Sequence, residues 1–244
     1  MITKELVLFA SLGGFLPALL WFWFWLKEDK KNPEPKKMLI WTFIAGMISV
    51  VPAIFLELLI EPWGNLEGED IFLASLILAP VFIIAANAAI EEIVKFVAAY
   101  FAALRTKVDD DEAIDPIIYM ITAALGFAAV ENTLFIINTF LDSPVGKELV
   151  SSLVVGNIRF IGASLLHIAS SATIGLFLAF GFGRSKKTKF LLGLIGMVLA
   201  TSLHAYFNFL IMSSDNGFLL SFLLVWIVII FLIFFLEKIK RIRK

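Results

Sequence analysis

The stretch AANAAIEEIVKFVAAY, residues 85–100, places three charged side chains in the middle of an apolar, alanine-rich helix. Glu91 and Glu92 are adjacent, and Lys95 follows them at the spacings i, i+4 and i, i+3, so that the lysine can pair with either carboxylate. A charge at the centre of a bilayer costs roughly 2.5–3.5 kcal/mol before any pairing. If this helix crosses a membrane, its charges must face one another, a partner helix or water.

The composition indicates that the helix does cross a membrane. Of the 244 residues, 60% are hydrophobic and 25 are phenylalanine, whereas soluble domains contain about 45–50% apolar residues. The chain has no cysteine, which excludes disulfides, thiolate metal sites and a cysteine nucleophile. It has only two histidines, so each of them carries unusual weight.

Seven apolar runs reach the length of about 20 residues that a bilayer core requires. The first run lacks a basic leading segment and a cleavage site, and it ends in an aromatic cluster, so we interpret it as a retained helix rather than a signal peptide. We therefore predict an all-α, polytopic membrane bundle of about seven transmembrane helices that forms a single domain over residues 1–244. The runs cover roughly residues 5–26, 38–60, 71–104, 115–141, 149–182, 190–212 and 217–237.

The basic residues predict the orientation of this bundle. Sixteen of the twenty lysines and arginines fall on one side, in the segments 27–37, 105–115, 183–189 and 237–244. The opposite side carries only Lys4 and Lys147. Because basic residues stay cytoplasmic, the N-terminus is expected outside and the C-terminus in the cytoplasm. The basic loops are short and match this rule, so nothing indicates binding to nucleic acid.

Four helices carry an ionisable residue at nearly the same depth. Glu91, Glu131, His167 and His204 lie 14 to 17 residues from the cytoplasmic ends of the third to sixth predicted helices. At 1.5 Å per residue, all four are about 21–26 Å from those ends. Both histidines of the chain belong to this layer. The coincidence of depth indicates a functional site.

The residue types in this layer exclude several kinds of catalysis. No aspartate lies within a span, which excludes an aspartyl dyad, and no HExxH motif occurs. Ser164 and Ser202 lie within spans, but small serines are common there and neither has a nucleophile motif. His204 and Asn208 share a helical face at i, i+4, where an amide can orient the imidazole or donate to a developing oxyanion. Glutamate and histidine remain as the basis of the site.

Three classes of protein use polar layers in a membrane. A transporter would be expected to show inverted repeats and a channel a ring of equivalent residues, and the sequence shows neither. An intramembrane hydrolase is therefore favoured. A non-hydrolytic proton-coupled transporter or binding protein that uses the same glutamates and histidines stays as the alternative. Arg159, also inside a span, is interpreted as a structural counter-ion to Glu131 or Glu92.

Four segments taken together resemble the PrsW family of intramembrane proteases, which is related to CAAX-prenyl endopeptidases and bacteriocin-processing proteases. They are EEIVK (Glu91–Lys95), FAAVEN (Phe127–Asn132), LLHIASS around His167, and HAYFN (His204–Asn208). The resemblance covers roughly residues 85–210, the expected catalytic core. It implies an endopeptidase in the lipid bilayer of a prokaryotic cytoplasmic membrane. Its substrate is expected to be another membrane protein, such as a single-span regulator whose cleavage releases a signal.

The resemblance also implies roles for individual residues. Glu91 or Glu92 would be the general base that activates the attacking water, while His204 and Asn208 would stabilise the oxyanion. Glu131 would orient the water or protonate the leaving amine. Four residues are expected to support these groups: Lys95, Phe127, Asn132 and Arg159.

The position of Glu131 departs from the CAAX-type pattern, in which a histidine often stands there. His167 is the candidate to supply that imidazole from the fifth helix. Glu131, His167 and His204 would also make a His₂Glu set, a known catalytic zinc pattern, with Glu91 as the base beside it. Without an HExxH motif, and with Asn208 placed for an oxyanion, a metal-free glutamic mechanism without a cofactor is favoured. One divalent metal, zinc, is the alternative.

Overall fold

A computed structural model describes residues 3–27, 33–61, 72–106, 112–142, 149–213 and 217–240. Regular structure within these ranges is entirely helical, and the predicted all-α, seven-helix bundle is confirmed. Helix α3 continues directly into a π-helical segment, Tyr100–Leu104. The helices are α1 (Lys4–Leu26), α2 (Lys36–Ile60), α3 (Phe72–Ala99), α4 (Asp115–Asp142), α5 (Leu149–Phe180), α6 (Lys186–Ser213) and α7 (Gly217–Ile239).

Local sequence explains where two of these helices begin. The Thr3 hydroxyl oxygen accepts the Leu6 N–H at 3.2 Å at the start of α1, and the Ser185 hydroxyl accepts the Thr188 N–H at 3.2 Å at the start of α6. Such caps satisfy backbone donors that a helix leaves free at its N-terminus. Prolines lie inside α1, α2 and α3, and membrane helices tolerate them because neighbouring groups satisfy the freed backbone.

Helices α4 and α5 form the centre of the bundle. Every residue in 115–129 of α4 and in 164–172 of α5 is buried. The surrounding helices instead expose large apolar side chains, such as Leu20, Val51 and Leu219, which are 66–70% exposed. In a bilayer these faces contact lipid chains. Among the described residues, six helices are long and apolar enough to cross a membrane.

Glycines allow backbones to touch where helices cross α4. A Cβ atom on Gly46 of α2 would overlap the Ala123 carbonyl oxygen of α4, and one on Gly126 of α4 would overlap the Phe43 carbonyl oxygen of α2. On the other side, a Cβ on Gly175 of α5 would lie 2.6 Å from the Ile117 Cα atom. Small residues permit this close approach in membranes. Helix α4 is therefore held by its neighbours at backbone distance.

A polar contact fixes the segment that precedes α2. The Tyr119 hydroxyl of α4 donates a hydrogen bond to the Glu34 carboxylate, and both side chains are buried. At the start of α4, the Asp115 carboxylate accepts the Glu112 N–H at 2.8 Å. The orientation predicted from the basic loops places these contacts at the cytoplasmic end of the bundle.

The glycine contacts predict an effect on stability. Replacing Gly126 by alanine should lower the free energy of unfolding by about 1–3 kcal/mol, because the added methyl group forces α2 and α4 apart. Gly162→Ala is the matched control, since its Cβ would meet its nearest neighbours at 3.9 Å. Denaturant unfolding in detergent micelles measures both. Equal stability of the two variants would show that the backbones separate without cost.

Candidate active site

Four helices bring the expected ionisable residues into one cluster, which we call the Glu/His cluster. Its members are buried, apart from the Glu131 side chain, which is 42% exposed. It includes all four residues that were predicted at a common depth, Glu91, Glu131, His167 and His204. The cluster consists of Glu91, Glu92 and Lys95 from α3, Glu131 from α4, His167 from α5 and His204 from α6.

Glu92 makes the most hydrogen bonds of the cluster. Its Oε1 atom accepts from Lys95 Nζ at 2.6 Å and is 2.8 Å from His204 Nδ1. Ser170 Oγ donates to the same oxygen at 2.8 Å, and Ser171 Oγ donates to Oε2 at 2.9 Å. The side chain is fully buried. Both oxygens are thus engaged, and the carboxylate ties α3 to α5 and α6.

Ser170 and Ser171 were not singled out by the sequence analysis, although they lie in the segment LLHIASS. They follow His167 by three and four residues, and therefore lie on its face of α5. Their hydroxyls supply two of the donors to Glu92. Two hydroxyls at this spacing from a membrane histidine are the signal that could have identified them.

Each histidine has one ring nitrogen held by a carboxylate and the other turned toward Glu91. His204 Nδ1 is 2.8 Å from Glu92 Oε1, and its Nε2 is 3.7 Å from Glu91 Oε2. His167 Nε2 is 2.6 Å from Glu131 Oε2, and its Nδ1 is 3.8 Å from Glu91 Oε2. Carboxylate partners of this kind fix the tautomer and orientation of metal-binding histidines.

Lys95 sets the tautomer of His167. Its ammonium lies 3.0 Å from His167 Nδ1, and because an ammonium only donates, Nδ1 accepts. The ring proton then resides on Nε2 and is donated to Glu131. Phe127 forms the wall behind this pair, with its ring centroid 5.4 Å from that of His167 and 5.0 Å from Lys95 Nζ.

Glu91 has a buried oxygen, Oε2, without a hydrogen-bond partner among the described residues. Glu91, His167 and His204 each offer one ligand atom, and these atoms lie within 4.8 Å of one another. Zinc bonds of about 2.0–2.1 Å place tetrahedral ligand atoms roughly 3.3 Å apart, somewhat less than the 3.7 and 3.8 Å that separate Glu91 Oε2 from the two imidazoles. These residues would fit a divalent metal after two adjustments. The three ligand atoms would have to move closer together. The Lys95 ammonium, 3.0 Å from His167 Nδ1 and 3.8 Å from Glu91 Oε2, would have to release both atoms and keep its contact with Glu92.

The charge of the Glu/His cluster also fits a divalent cation. With neutral histidines and ionised carboxylates, three glutamates and one lysine leave a net charge of −2. Uncompensated charge is costly in a medium of low dielectric constant. One divalent cation would balance it.

The metal set expected from sequence contained Glu131 rather than Glu91. In the structure the Glu131 carboxylate contacts the far nitrogen of His167, and the Glu91 carboxylate faces both imidazoles. This geometry favours Glu91 as the carboxylate ligand. The set of Glu131, His167 and His204 stays a prediction, as does a mechanism without a cofactor.

A cavity of about 250 Å³ begins at the Glu/His cluster. Its lining residues on α3, α4, α5 and α6 lie at the level of the cluster or farther toward the ends predicted to be extracytoplasmic. Glu131, exposed to 42%, faces this space. The polar side chains of the lining are Asn87, Glu131, Asn132, His167, His204 and Asn208.

A group of apolar residues lies on the cytoplasmic side of the cluster. These buried residues come from α3, α4, α5 and α6 and pack against one another. We call this group the inner apolar layer. It consists of Ala99, Met120, Ala123, Ile174, Leu178 and Ala200.

Three asparagines of the cavity differ in their contacts. Asn208 lies one turn beyond His204, as its spacing indicates. Asn132 Nδ2 donates to Ser164 Oγ at 3.2 Å, so both are engaged in packing α4 on α5. Asn87 was missed by the sequence analysis, although it precedes Glu91 by four residues. Its Oδ1 atom is buried and has no partner among the described residues.

One expected supporting residue falls outside this description. Arg159 lies in α5, but its side chain is outside the described residues, as are the side chains of the outermost residues of α3 and α5. Its interpretation as a counter-ion therefore stays a prediction.

A membrane bundle with buried glutamates and histidines beside a polar cavity has the architecture of an intramembrane hydrolase. Residues 34–236 match the PrsW family intramembrane metalloprotease, and the chain belongs to this family. It is 25% identical over 211 residues to Protease PrsW of Bacillus subtilis (strain 168), covering 84% of this chain and 83% of that protein. It is 27% identical over 233 residues to Protease PrsW of Clostridioides difficile (strain 630), covering 93% and 89%. No solved structure matches the chain.

Family membership confirms the resemblance drawn from the four segments. The protein is an intramembrane protease, integral to a prokaryotic cell membrane, and it acts on membrane-embedded substrates in a lipid environment. This favours the hydrolase over the proton-coupled transporter as the class of protein.

The contacts of Glu92 predict a structural role. Glu92→Gln should lower stability by about 3–5 kcal/mol, because it leaves the buried Lys95 ammonium without its closest counter-charge. Glu131→Gln should lower it by less than about 1 kcal/mol, since that side chain is partly exposed and screened. Unfolding of both purified variants in detergent measures the difference. Similar losses in the two variants would contradict the assignment of Glu92 as the anchor.

Proposed function

We propose that this protease hydrolyses peptide bonds that enter the cavity from the extracytoplasmic side, with Glu131 as general base beside a divalent metal. The metal would be held by Glu91, His167 and His204. The observation that carries the proposal is the buried Glu91 Oε2 atom, which lacks a hydrogen-bond partner and faces a nitrogen of each imidazole. The name of the matched family, which describes a metalloprotease, supports it.

The protein supplies the setting for such a metal. A bound zinc ion would act as a Lewis acid toward the substrate carbonyl and would activate water for attack. Glu92 orients His204 and Glu131 orients His167, each through the ring nitrogen that faces away from Glu91. Carboxylates in this position are typical of histidines that bind zinc.

Glu131 is the carboxylate best placed for proton transfer. It lines the cavity, whereas Glu91 does not line it and both carboxylate oxygens of Glu92 already accept hydrogen bonds. Glu131 holds His167 through Oε2, so the other oxygen of its carboxylate would take one proton from the attacking water as the new C–O bond forms. It then gives that proton to the amide nitrogen as the C–N bond breaks, which yields a carboxylic acid and a free amine.

Two asparagines of the cavity are suited to hold the substrate. The Asn208 side-chain amide can donate an N–H to the carbonyl oxygen as negative charge develops there. The free Asn87 Oδ1 atom can accept a backbone N–H of the bound segment. These contacts would replace the hydrogen bonds that the substrate backbone loses on leaving water.

The position of the cavity supports a proposal for the location of the scissile bond. Its lining extends from the cluster toward the ends of α3 to α6 predicted to be outside. A scissile bond would therefore lie in the outer half of the membrane or just beyond it. A single-span regulator with an exposed outer juxtamembrane segment would be a suitable substrate, and its cleavage would be a step in signalling.

The metal-free glutamic mechanism, with Glu91 as base, is the alternative. It would require a water molecule at Glu91 Oε2, which is buried behind the imidazoles. The exposure of Glu131 to the cavity favours the metal-assisted mechanism.

Metal content and activity together test the proposal. Purified wild-type protein should contain about one zinc per chain and cleave single-span substrates in lipid vesicles, and a strong chelator should abolish both until zinc is restored. Glu131→Gln should retain the metal but lose roughly 10²–10⁴-fold in kcat, the usual contribution of a general base. Glu91→Gln should lose metal and activity together. Elemental analysis and sequencing of the product N-termini give the readouts.

The same experiment separates the alternatives. Full activity in a metal-depleted protein, lost only in Glu91→Gln, would establish the glutamic mechanism instead. Products cut in the cytoplasmic half of the substrate span would overturn the direction of entry.

Asn87 and Asn208 should affect different kinetic constants. Asn87→Ala is expected to raise KM several-fold with little change in kcat, because its contact is made equally to bound substrate and transition state. Asn208→Ala should instead lower kcat by roughly 10²–10³-fold, the cost of removing an oxyanion donor. Initial rates across a range of substrate concentrations measure both. Unchanged KM in Asn87→Ala would remove this residue from the binding site.

A further inference from the structure

A second cavity, of about 460 Å³, lies between the cytoplasmic ends of α3, α4 and α6. Its interior is apolar and includes Phe96 of α3, Leu178 of α5 and Met197 of α6. The π-helical segment contributes Tyr100. None of these residues lines the cavity at the Glu/His cluster, so the two spaces are distinct.

The mouth of this cavity is basic. Lys186 and Lys189 both line it, at the first turn of α6. They belong to the segment 183–189, which carries four basic residues and is predicted to be cytoplasmic. Charge and apolar surface thus meet within one cavity at the level where lipid head groups meet acyl chains.

The cavity also opens sideways toward the bilayer. Phe190 and Leu194 line it, and their side chains are 70% and 52% exposed. In a membrane those exposed faces contact lipid chains. A molecule that lies in the inner leaflet can therefore enter from the side, without crossing the protein or leaving the bilayer.

We propose that this cavity is a binding site for one anionic phospholipid of the inner leaflet. Its phosphate would lie at Lys186 and Lys189, and an acyl chain would pack against Phe96 and Met197. Basic pockets between helices on the cytoplasmic side of a membrane select anionic head groups. A zwitterionic lipid offers the same chains without the net negative charge, so the lysines distinguish the two.

The site lies beneath the helices that carry the Glu/His cluster. Phe96 directly follows Lys95 in the chain, and Met197 is two turns before His204. Both pack against the inner apolar layer. An acyl chain between them bridges α3 and α6, the helices joined one level farther out by the contact of 2.8 Å between Glu92 and His204. The bound lipid should therefore stabilise the spacing that this contact requires.

Binding of lipid to the purified full-length protein tests the proposal. In native mass spectrometry from detergent, phosphatidylglycerol should bind wild type roughly 10–30-fold more tightly than phosphatidylcholine, as expected for two lysines near an anionic head group. The double variant Lys186→Gln/Lys189→Gln should lose this preference. Lys36→Gln/Lys37→Gln is the matched control, because these exposed lysines stand at the cytoplasmic end of α2, away from the cavity; it should bind like wild type.

Thermal unfolding provides a second readout that needs no substrate. Phosphatidylglycerol should raise the Tm of wild type and of the Lys36/Lys37 control, and leave that of the Lys186/Lys189 variant unchanged. Inorganic phosphate should have no such effect, which separates a lipid site from a simple anion site. Equal lipid preference or equal Tm shifts in the two double variants would overturn the proposal, and neither result depends on whether the protein cleaves a peptide.

Discussion

A carboxylate buried in the membrane and held by four donors is the interaction on which the rest of the site depends. Glu92 carries a negative charge where water cannot reach it, so its donors must come from the protein. Lys95, Ser170, Ser171 and His204 supply them from three helices. Three of these contacts, those with Ser170, Ser171 and His204, join α3 to α5 and α6. Because the cost of exposing this charge to lipid is large, these helices cannot separate without losing all three together.

The same constraint divides the glutamates by role. Glu92, saturated with donors, stabilises the arrangement of helices. Glu91 has an oxygen left free beside two imidazoles, and Glu131 reaches the cavity. Chemically identical side chains thus acquire different tasks from the number of donors around them and from their access to water. The backbone contacts of Gly46 and Gly126 hold α4, the helix that carries Glu131, close against α2.

Much of this arrangement is readable from the sequence, because a small number of strong rules on apolar length and basic residues govern membrane helices. Apolar length predicted all seven helices, and counting residues from the basic loops placed Glu91, Glu131, His167 and His204 at one level. The division of roles was not readable, since adjacent Glu91 and Glu92 have the same depth and the same spacing to Lys95 within one residue. Only side-chain contacts distinguish them. Asn87 was missed in the sequence for a similar reason, because an oxygen without a hydrogen-bond partner is a property of packing and not of residue type.

The inner apolar layer has a consequence for the cell as a whole. A water-filled cavity that reaches the Glu/His cluster would shorten the insulating part of the membrane at this point, and the layer beneath it would then bear much of the transmembrane voltage. Moving one charge through that voltage is worth about 2.3 kcal/mol per 100 mV. The packed side chains of Met120, Ala123, Ile174 and Ala200 would then separate water in the cavity from the cytoplasm. Such a barrier would slow the passage of protons between the two.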